Sequence, residues 1–368
     1  MKVTFPHMGH LYITAKTIFE GLGLEVIVPP KCSRKTLDLG ARYAPEFACL
    51  PLKINCGNFL EARELGADTI VMAGGVGPCR FGYYAQIQRE ILNDIGQSME
   101  MIVLEPPNAH FSEVLDKIRY LSRKPWQEAL KAVLLAWQKT VAVDKLEQKI
   151  QWFRPREVIP GKADQLFKNA LEAIEAAVTK KEVLHICGKA ENELHSLKID
   201  ENFPVLRIAI VGEIYTVLEP FVNQDLEKHL GRMGVEVHRS IYLSQWINDH
   251  LLGGILPMSG AKKAKKMAKP YLNYFVGGHG RETIGSTVEY AKMGFDGVIQ
   301  LAPMTCMPEI VAESILPAVS KDFRIPVMTL YLDEQSGQAG IITRLEAFVD
   351  MIFRSKNSRK EGEKCKLI

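Results

Sequence analysis

The chain has 368 residues, enough for two or three domains that each bury a core. Hydrophobic residues make up 47% and charged residues 24%, and 46 basic against 43 acidic side chains leave a formal charge of +3, which excludes a strongly basic nucleic-acid binder and a disordered chain. MKVTFPHMGHLYIT at the amino terminus carries one lysine and a strand-like pattern, and no stretch nears ~20 continuous apolar residues, so a soluble, cytoplasmic protein is expected, with no membrane partner.

The first part alternates strand and helix patterns. KVTF reads as a strand, YITAKTIFEGLG as a helix closed by glycine and LEVIVPP as a second strand. CGNFLEARELG is helical, DTIVMAGG a strand, GYYAQIQREILNDIG a helix and MEMIVLEPP a strand. That order predicts a parallel, doubly wound sheet over 1–107.

From 108 to 202 the pattern changes. SEVLDKIRYLSR, WQEALKAVLLAWQKTVAVDKLEQKI and ADQLFKNALEAIEAAVTKKEVL have helical periodicity without strand signals, as expected of a helical subdomain inserted between two α/β units. A second α/β domain over 203–353 follows: NFPVLRIAIVGE (strand), NQDLEKHLGRMG (helix), VEVHRS and YLNYFVGG (strands), GSTVEYAKMG (helix), DGVIQLAP (strand), EIVAESILPAVS (helix) and PVMTLYLD (strand). Residues 354–368 read as a basic, flexible tail, and Lys262, Lys263, Lys265, Lys266 and Lys269 as a solvated basic face. Without interleaved aromatics that run does not suggest nucleic-acid binding.

The two α/β parts resemble copies of one doubly wound, Rossmann- or flavodoxin-like unit. EGLGLEVIVPP aligns with GRMGVEVHRS, and LEARELGADTIVMAGGVGPC with VEYAKMGFDGVIQLAPMTC. In the second pair a helix ends at Gly66 or Gly294, an acid follows at Asp68 or Asp296, and a cysteine stands thirteen (Cys79) or twelve (Cys306) residues after the glycine. Ligands of such sheets bind outside the carboxyl ends of the strands, so two facing domains would bring Cys79 and Cys306 to one cleft.

Seven cysteines without a CxxC pair argue against a disulfide framework and against the commonest zinc and ferredoxin patterns. Cys49, Cys79 and Cys306 each sit where a strand or loop gives way to a helix, where free N–H groups and the positive dipole favour the metal-binding thiolate. Gly74, Gly75 and Gly77 allow close backbone approach beside Cys79, and Arg80 could steady a thiolate-bound, negatively charged group. The same GGVGPC run is open to a second reading as a phosphate-binding turn, although it lacks the spacing of a dinucleotide fingerprint or a P-loop. Cys32, at a strand end after PPK, is a candidate fourth ligand, whereas Cys56, Cys187 and Cys365 read as structural or incidental. Glu213, Glu219, His279, Arg281 and Glu282 lie near strand ends or helix starts, where facing the cleft and capping a helix are alternative roles.

At PEFACLPLK, GPCRFGYY, GEIYTVLEPFVNQDLE, LAPMTCMPE and DEQSGQAGIITRLEAF the sequence resembles the 2-hydroxyacyl-CoA dehydratase and benzoyl-CoA reductase superfamily, closest to its CoA-enzyme activase-related branch. The resemblance covers both α/β parts and little of the helical middle. It implies two similar α/β domains holding a 4Fe-4S cluster on Cys49, Cys79 and Cys306, a single cubane rather than a double one, with one iron open to a substrate or small ligand. It also implies an anaerobic setting, a separate actin-like ATPase activator with its own iron–sulfur cluster as electron donor, a small molecule or acyl-CoA as acceptor, and pairing of subunits. The chain has neither a P-loop nor the DxGST-type phosphate loop of such an ATPase, and no distinct CoA motif. Three functions follow as alternatives: a redox, reductase or dehydratase component; a non-catalytic module that holds the cluster; or an iron-free nucleotide-binding protein.

Overall fold

The computed structural model describes residues 1–75, 77–104, 111–251 and 260–365, with side chains described over 1–75, 77–104, 116–250 and 260–358. Its first part runs β1 (Lys2–Thr4), α1 (Leu11–Gly21), β2 (Glu25–Val26), α2 (Arg34–Tyr43), α3 (Leu50–Glu64), β3 (Thr69–Ala73), a 3-10 turn (Arg80–Tyr83), α4 (Tyr84–Asp94) and β4 (Glu100–Leu104). The four strands form an all-parallel sheet in the order β2-β1-β3-β4. Four helices follow: α5 (Phe111–Leu121), α6 (Trp126–Phe153), α7 (Lys162–Ala176) and α8 (Lys180–His195). The last part is β5 (Leu206–Gly212), α9 (Ile214–Leu218), α10 (Leu226–Arg232), β6 (Val235–Arg239), α11 (Leu243–Trp246), α12 (Gly260–Ala268), α13 (Gly280–Lys292), β7 (Gly297–Pro303), α14 (Met307–Phe323), β8 (Val327–Leu332) and α15 (Gln338–Cys365). Its sheet is again all parallel, in the order β6-β5-β7-β8, so the two α/β units expected from the sequence share one topology.

The correspondence extends to single hydrogen bonds. Gly66 and Gly294 follow their helices with φ of +98° and +74°, and the residue after each closes the helix end, Ala67 N–H on Ala62 O and Phe295 N–H on Tyr290 O. Asp68 and Asp296 then each accept the backbone N–H at the start of the unit's first strand, from Lys2 at 2.7 Å and from Arg207 at 2.8 Å. The acid locks the third strand to the first in both halves.

Capping residues set several boundaries. Ser33 accepts from Thr36 N–H while Thr36 Oγ1 accepts from Ser33 N–H, which starts α2, a helix not expected from the sequence. Thr179 and Glu182 form a second such box and divide the long helical stretch after Ala163 into α7 and α8. Strand β2 ends before Pro29 and Pro30, which have no N–H to donate. YLNYFVGG, expected as a strand, is irregular: Gly277 and Gly278 turn the chain with φ of +85° and +45°, and Phe275 packs over Gly77 of the first part. The basic residues after Arg354 continue α15 as far as Cys365.

Helix α3 explains how the halves are joined. Every residue from Leu50 to Ala62 is buried, so it has no solvent stripe. Cys32, Leu37, Leu50 and Ile54 share one core with Tyr215, Val217, Leu243 and the strands of the second sheet, so the α2–α3 pair is wedged between the two units. Helix α6 bridges them too, through Thr14 on Thr140 at 2.6 Å and Tyr242 on Gln151 at 2.6 Å.

Candidate metal centre

Each of Cys49, Cys79 and Cys306 is the residue immediately before a helical segment, at the starts of α3, of the 3-10 turn and of α14. Pro51 and Pro308 occupy the first turns of α3 and α14, where a missing N–H costs nothing. The three loops touch one another. Leu50 N–H donates to Met304 O at 3.1 Å, and Thr305 Oγ1 donates to Phe47 O at 3.2 Å. Arg80 reaches across all three: its guanidinium donates to Phe47 O ahead of Cys49, and to Thr305 O and Oγ1, both at 2.9 Å, ahead of Cys306. The glycine turn of the second unit closes over this point, since a Cβ built on Gly277 would stand 2.7 Å from Cys79 N and one on Gly278 3.7 Å from Cys79 Sγ and 3.1 Å from Pro308 Cγ.

Electrostatics connects the thiols. Cys79 acts on both Cys49 and Cys306, and Glu213 acts on all three. Burial comes first and raises every one of them; the Phe81 and Glu309 N–H groups lower Cys79 and Cys306, Tyr84 Oη at 2.6 Å and Arg80 lower Cys49, and these opposing effects are smaller. The thiolate bias expected of a helix start is therefore outweighed by desolvation, and without a metal the three are thiols at neutral pH. Cys49 and Cys306 are buried, and Cys79 is the half-exposed member.

Two carboxyls stand behind the cysteines. Glu213 caps α9, accepting from Tyr215 and Thr216 N–H at 3.0 Å each, and burial pushes it up to about 6. Glu309, with no exposed surface, accepts from Thr283 Oγ1 and Gln300 Nε2, and burial pushes it up to about 8. Glu309, Tyr84 and Thr305 were not singled out from the sequence; Glu309 and Thr305 do lie within three residues of Cys306.

The other sequence candidates are placed as follows. Gly75 packs on Phe81 and Gly77 on Phe275, so both carry close approaches of side chains. His279 precedes α13, buried, its Nε2 without a hydrogen-bond partner among the described residues and its ring 5.6 Å from that of His250; burial lowers its pKa to about 4. Glu282 pairs with Lys265 at 3.0 Å, and Arg281 Nε has no hydrogen-bond partner among the described residues. Cys56 and Cys187 lie in helices α3 and α8 and within their apolar clusters. Cys365 lies beyond the described side chains. The Cys32 sulfur meets His7 Nδ1 at 3.8 Å, Tyr215 Oη at 3.8 Å and Asn58 Nδ2 at 3.6 Å.

Among the described residues, His7, Cys32 and Glu219 are the set of ligand atoms within 4.8 Å of one another, the spacing a single ion needs. Cys49, Cys79 and Cys306 do not meet it. A cluster offers its ligand sites on separate irons and so takes more widely spaced thiolates than one ion does.

Fold and site together define a two-unit parallel α/β protein with three cysteines at its internal junction. Residues 6–72 match the family model described as CoA enzyme activase uncharacterised domain (DUF2229), in keeping with the activase-related branch that the sequence motifs resemble. The match contains His7, Cys32 and Cys49 and stops before Cys79. No curated protein matches the chain.

Proposed function

We propose that this chain is an iron–sulfur redox protein of a CoA-enzyme activation system, holding a 4Fe-4S cluster on Cys49, Cys79 and Cys306. The observation that carries the reading is the meeting of three cysteine-bearing helix starts from both units at Arg80. The donor set fits: three thiols, of which two are buried, with backbone N–H groups directed at Cys79 and Cys306, an arginine whose charge acts on Cys49 and Cys79, and a glycine turn that leaves room beside Cys79 Sγ. Such a cluster, when bound, supplies one-electron transfer at low potential.

The chain's own residues would do the rest. Tyr84 Oη, Phe81 N–H and Glu309 N–H hydrogen-bond the sulfurs and tune their donor strength. Arg80 offsets negative charge and fixes the distance between the loops. Glu309 keeps its proton near neutral pH, so no uncompensated carboxylate sits behind Cys306. Half-exposed Cys79 marks the side from which an acceptor, a small molecule or an acyl-CoA, would approach.

An actin-like ATPase with its own cluster is the proposed electron donor, and the activase wording of the family match supports a place in such a system. That wording also favours a second reading, in which the chain belongs to the activating side and docks on a dehydratase. Anaerobic purification with iron and sulfide assays tests the cluster: about four of each per chain are expected for a 4Fe-4S group, lost in Cys79→Ser and Cys306→Ser. An EPR spectrum that shifts with an acyl-CoA supports a redox role, and an unchanged one supports a module that only holds the cluster. Iron-free protein from cells with active cluster assembly refutes the proposal.

A further inference from the structure

We propose that His7, Cys32 and Glu219 form a separate site for one zinc ion that pins the two α/β units together. The three side chains come from equivalent places. His7 follows β1 and Cys32 follows β2, at the carboxyl ends of adjacent strands in the first sheet, and Glu219 follows α9, just beyond the carboxyl end of β5 in the second. All are more than nine-tenths buried, at 5%, 8% and 3% exposure.

The spacings suit three corners of a tetrahedral site. His7 Nδ1 lies 3.1 Å from Glu219 Oε2 and 3.8 Å from Cys32 Sγ. Tetrahedral zinc at its usual bond lengths would hold nitrogen and oxygen ligands about 3.3 Å apart and nitrogen and sulfur about 3.6 Å apart. The same His7 nitrogen faces both the carboxylate and the sulfur, so an ion replaces shared hydrogen-bonding hydrogens with bonds to metal.

Outer contacts hold each ligand in place. Glu219 accepts from Gly9 N–H at 2.8 Å and Phe221 N–H at 3.3 Å. Asn58 links the other two, accepting from His7 N–H at 3.2 Å and placing Nδ2 3.6 Å from Cys32 Sγ. Tyr215 donates to His7 O at 2.6 Å, and Tyr12 stacks on the imidazole at 12°. Tyr215 Oη, 3.8 Å from the sulfur, is the nearest further oxygen for a fourth position.

Charge and ligand softness select the ion. A divalent cation with one thiolate, one carboxylate and a neutral imidazole gives a neutral buried unit. Thiolate with imidazole disfavours magnesium and calcium and suits zinc. Burial, followed by the charge of Glu219, raises the Cys32 thiol to about 12, so zinc must expel that proton to bind.

The test uses the full chain with Cys49, Cys79 and Cys306 all changed to serine, so that the proposed cluster plays no part. One zinc per chain is expected by elemental analysis. Cobalt(II) added after chelation should bind in one equivalent with a thiolate charge-transfer band that zinc abolishes and Cys32→Ser removes, and zinc should raise Tm over the chelated protein. In the otherwise unaltered chain, His7→Gln should remove zinc and leave iron unchanged, a readout that does not depend on the serine variant folding. A cobalt band that survives Cys32→Ser, or a chain that binds neither metal and shows no change in Tm, overturns the proposal. Zinc retained in His7→Gln also overturns it, whereas an unaltered chain that holds zinc but no iron would count against the cluster alone.

Discussion

Replacing Glu309 by glutamine should stabilise the metal-free chain at alkaline pH. The carboxyl has no exposed surface, and burial raises its pKa from 4.5 to about 8, with Glu213 and Glu282 adding to the rise and Thr283 and Gln300 opposing it. Because the folded value lies above the unfolded one, the ionised group works against folding. The penalty is absent below about pH 4.5, grows as pH rises and is complete above about pH 8. A difference of about 3.5 pH units corresponds to roughly 5 kcal/mol at full ionisation. Glutamine keeps one acceptor for Gln300 Nε2, and Thr283 Oγ1 can turn to accept from the new amide. An imperfectly paired amide proton costs about 1–3 kcal/mol, so the net gain near pH 9 should be about 2–4 kcal/mol. At pH 5 the sign should reverse, because the protonated acid can itself donate. Urea unfolding of chelator-treated wild type and variant from pH 5 to pH 9 measures this directly. A stability difference that does not change with pH, or a variant less stable than wild type at pH 9, would refute the assignment of Glu309 as a buried, proton-holding carboxyl.

Two further outcomes probe the site and the repeat. Gly277→Ala places a methyl 2.7 Å from Cys79 N at a φ of +85°, so it should cost at least 1–2 kcal/mol in a urea titration by the left-handed penalty alone, roughly, and should lower iron retention by displacing Cys79; unchanged iron content would mean that the turn does not position that cysteine. Asp68→Ala and Asp296→Ala should each leave a strand N–H unpaired, at about 1 kcal/mol for the half-exposed Asp68 and about 2 kcal/mol for Asp296, whose side chain is 15% exposed. Their double variant should show the sum within about 0.5 kcal/mol, because the two acids serve separate sheets.

The repeat was legible because it is written in local chemistry. A glycine that must turn left-handed, an acid two residues on and an apolar strand leave the same trace at Gly66–Asp68 and at Gly294–Asp296, whatever surrounds them. The helix starts at Cys49 and Cys306 were legible for the same reason, from prolines at Pro51 and Pro308. Helix α2 was not, since its box uses Thr36 where glutamate is the usual signal, and YLNYFVGG carried apolar and aromatic residues that mimic a strand although Gly277 and Gly278 bend it over Cys79.

What the sequence determined by itself, then, is two parallel α/β units, a helical stretch between them and three cysteines at helix starts, all consequences of periodicity, caps and turns. The tertiary structure alone decided which side chains meet. Arg80 joins loops 225 residues apart by reaching Thr305, and His7 finds Glu219 across 212 residues, because α3 is buried on every side and wedges the two sheets' carboxyl ends against each other. Burial likewise reversed the charge state that position along the chain implied: a helix start favours a thiolate, but removing Cys49 and Cys306 from water favours the thiol more.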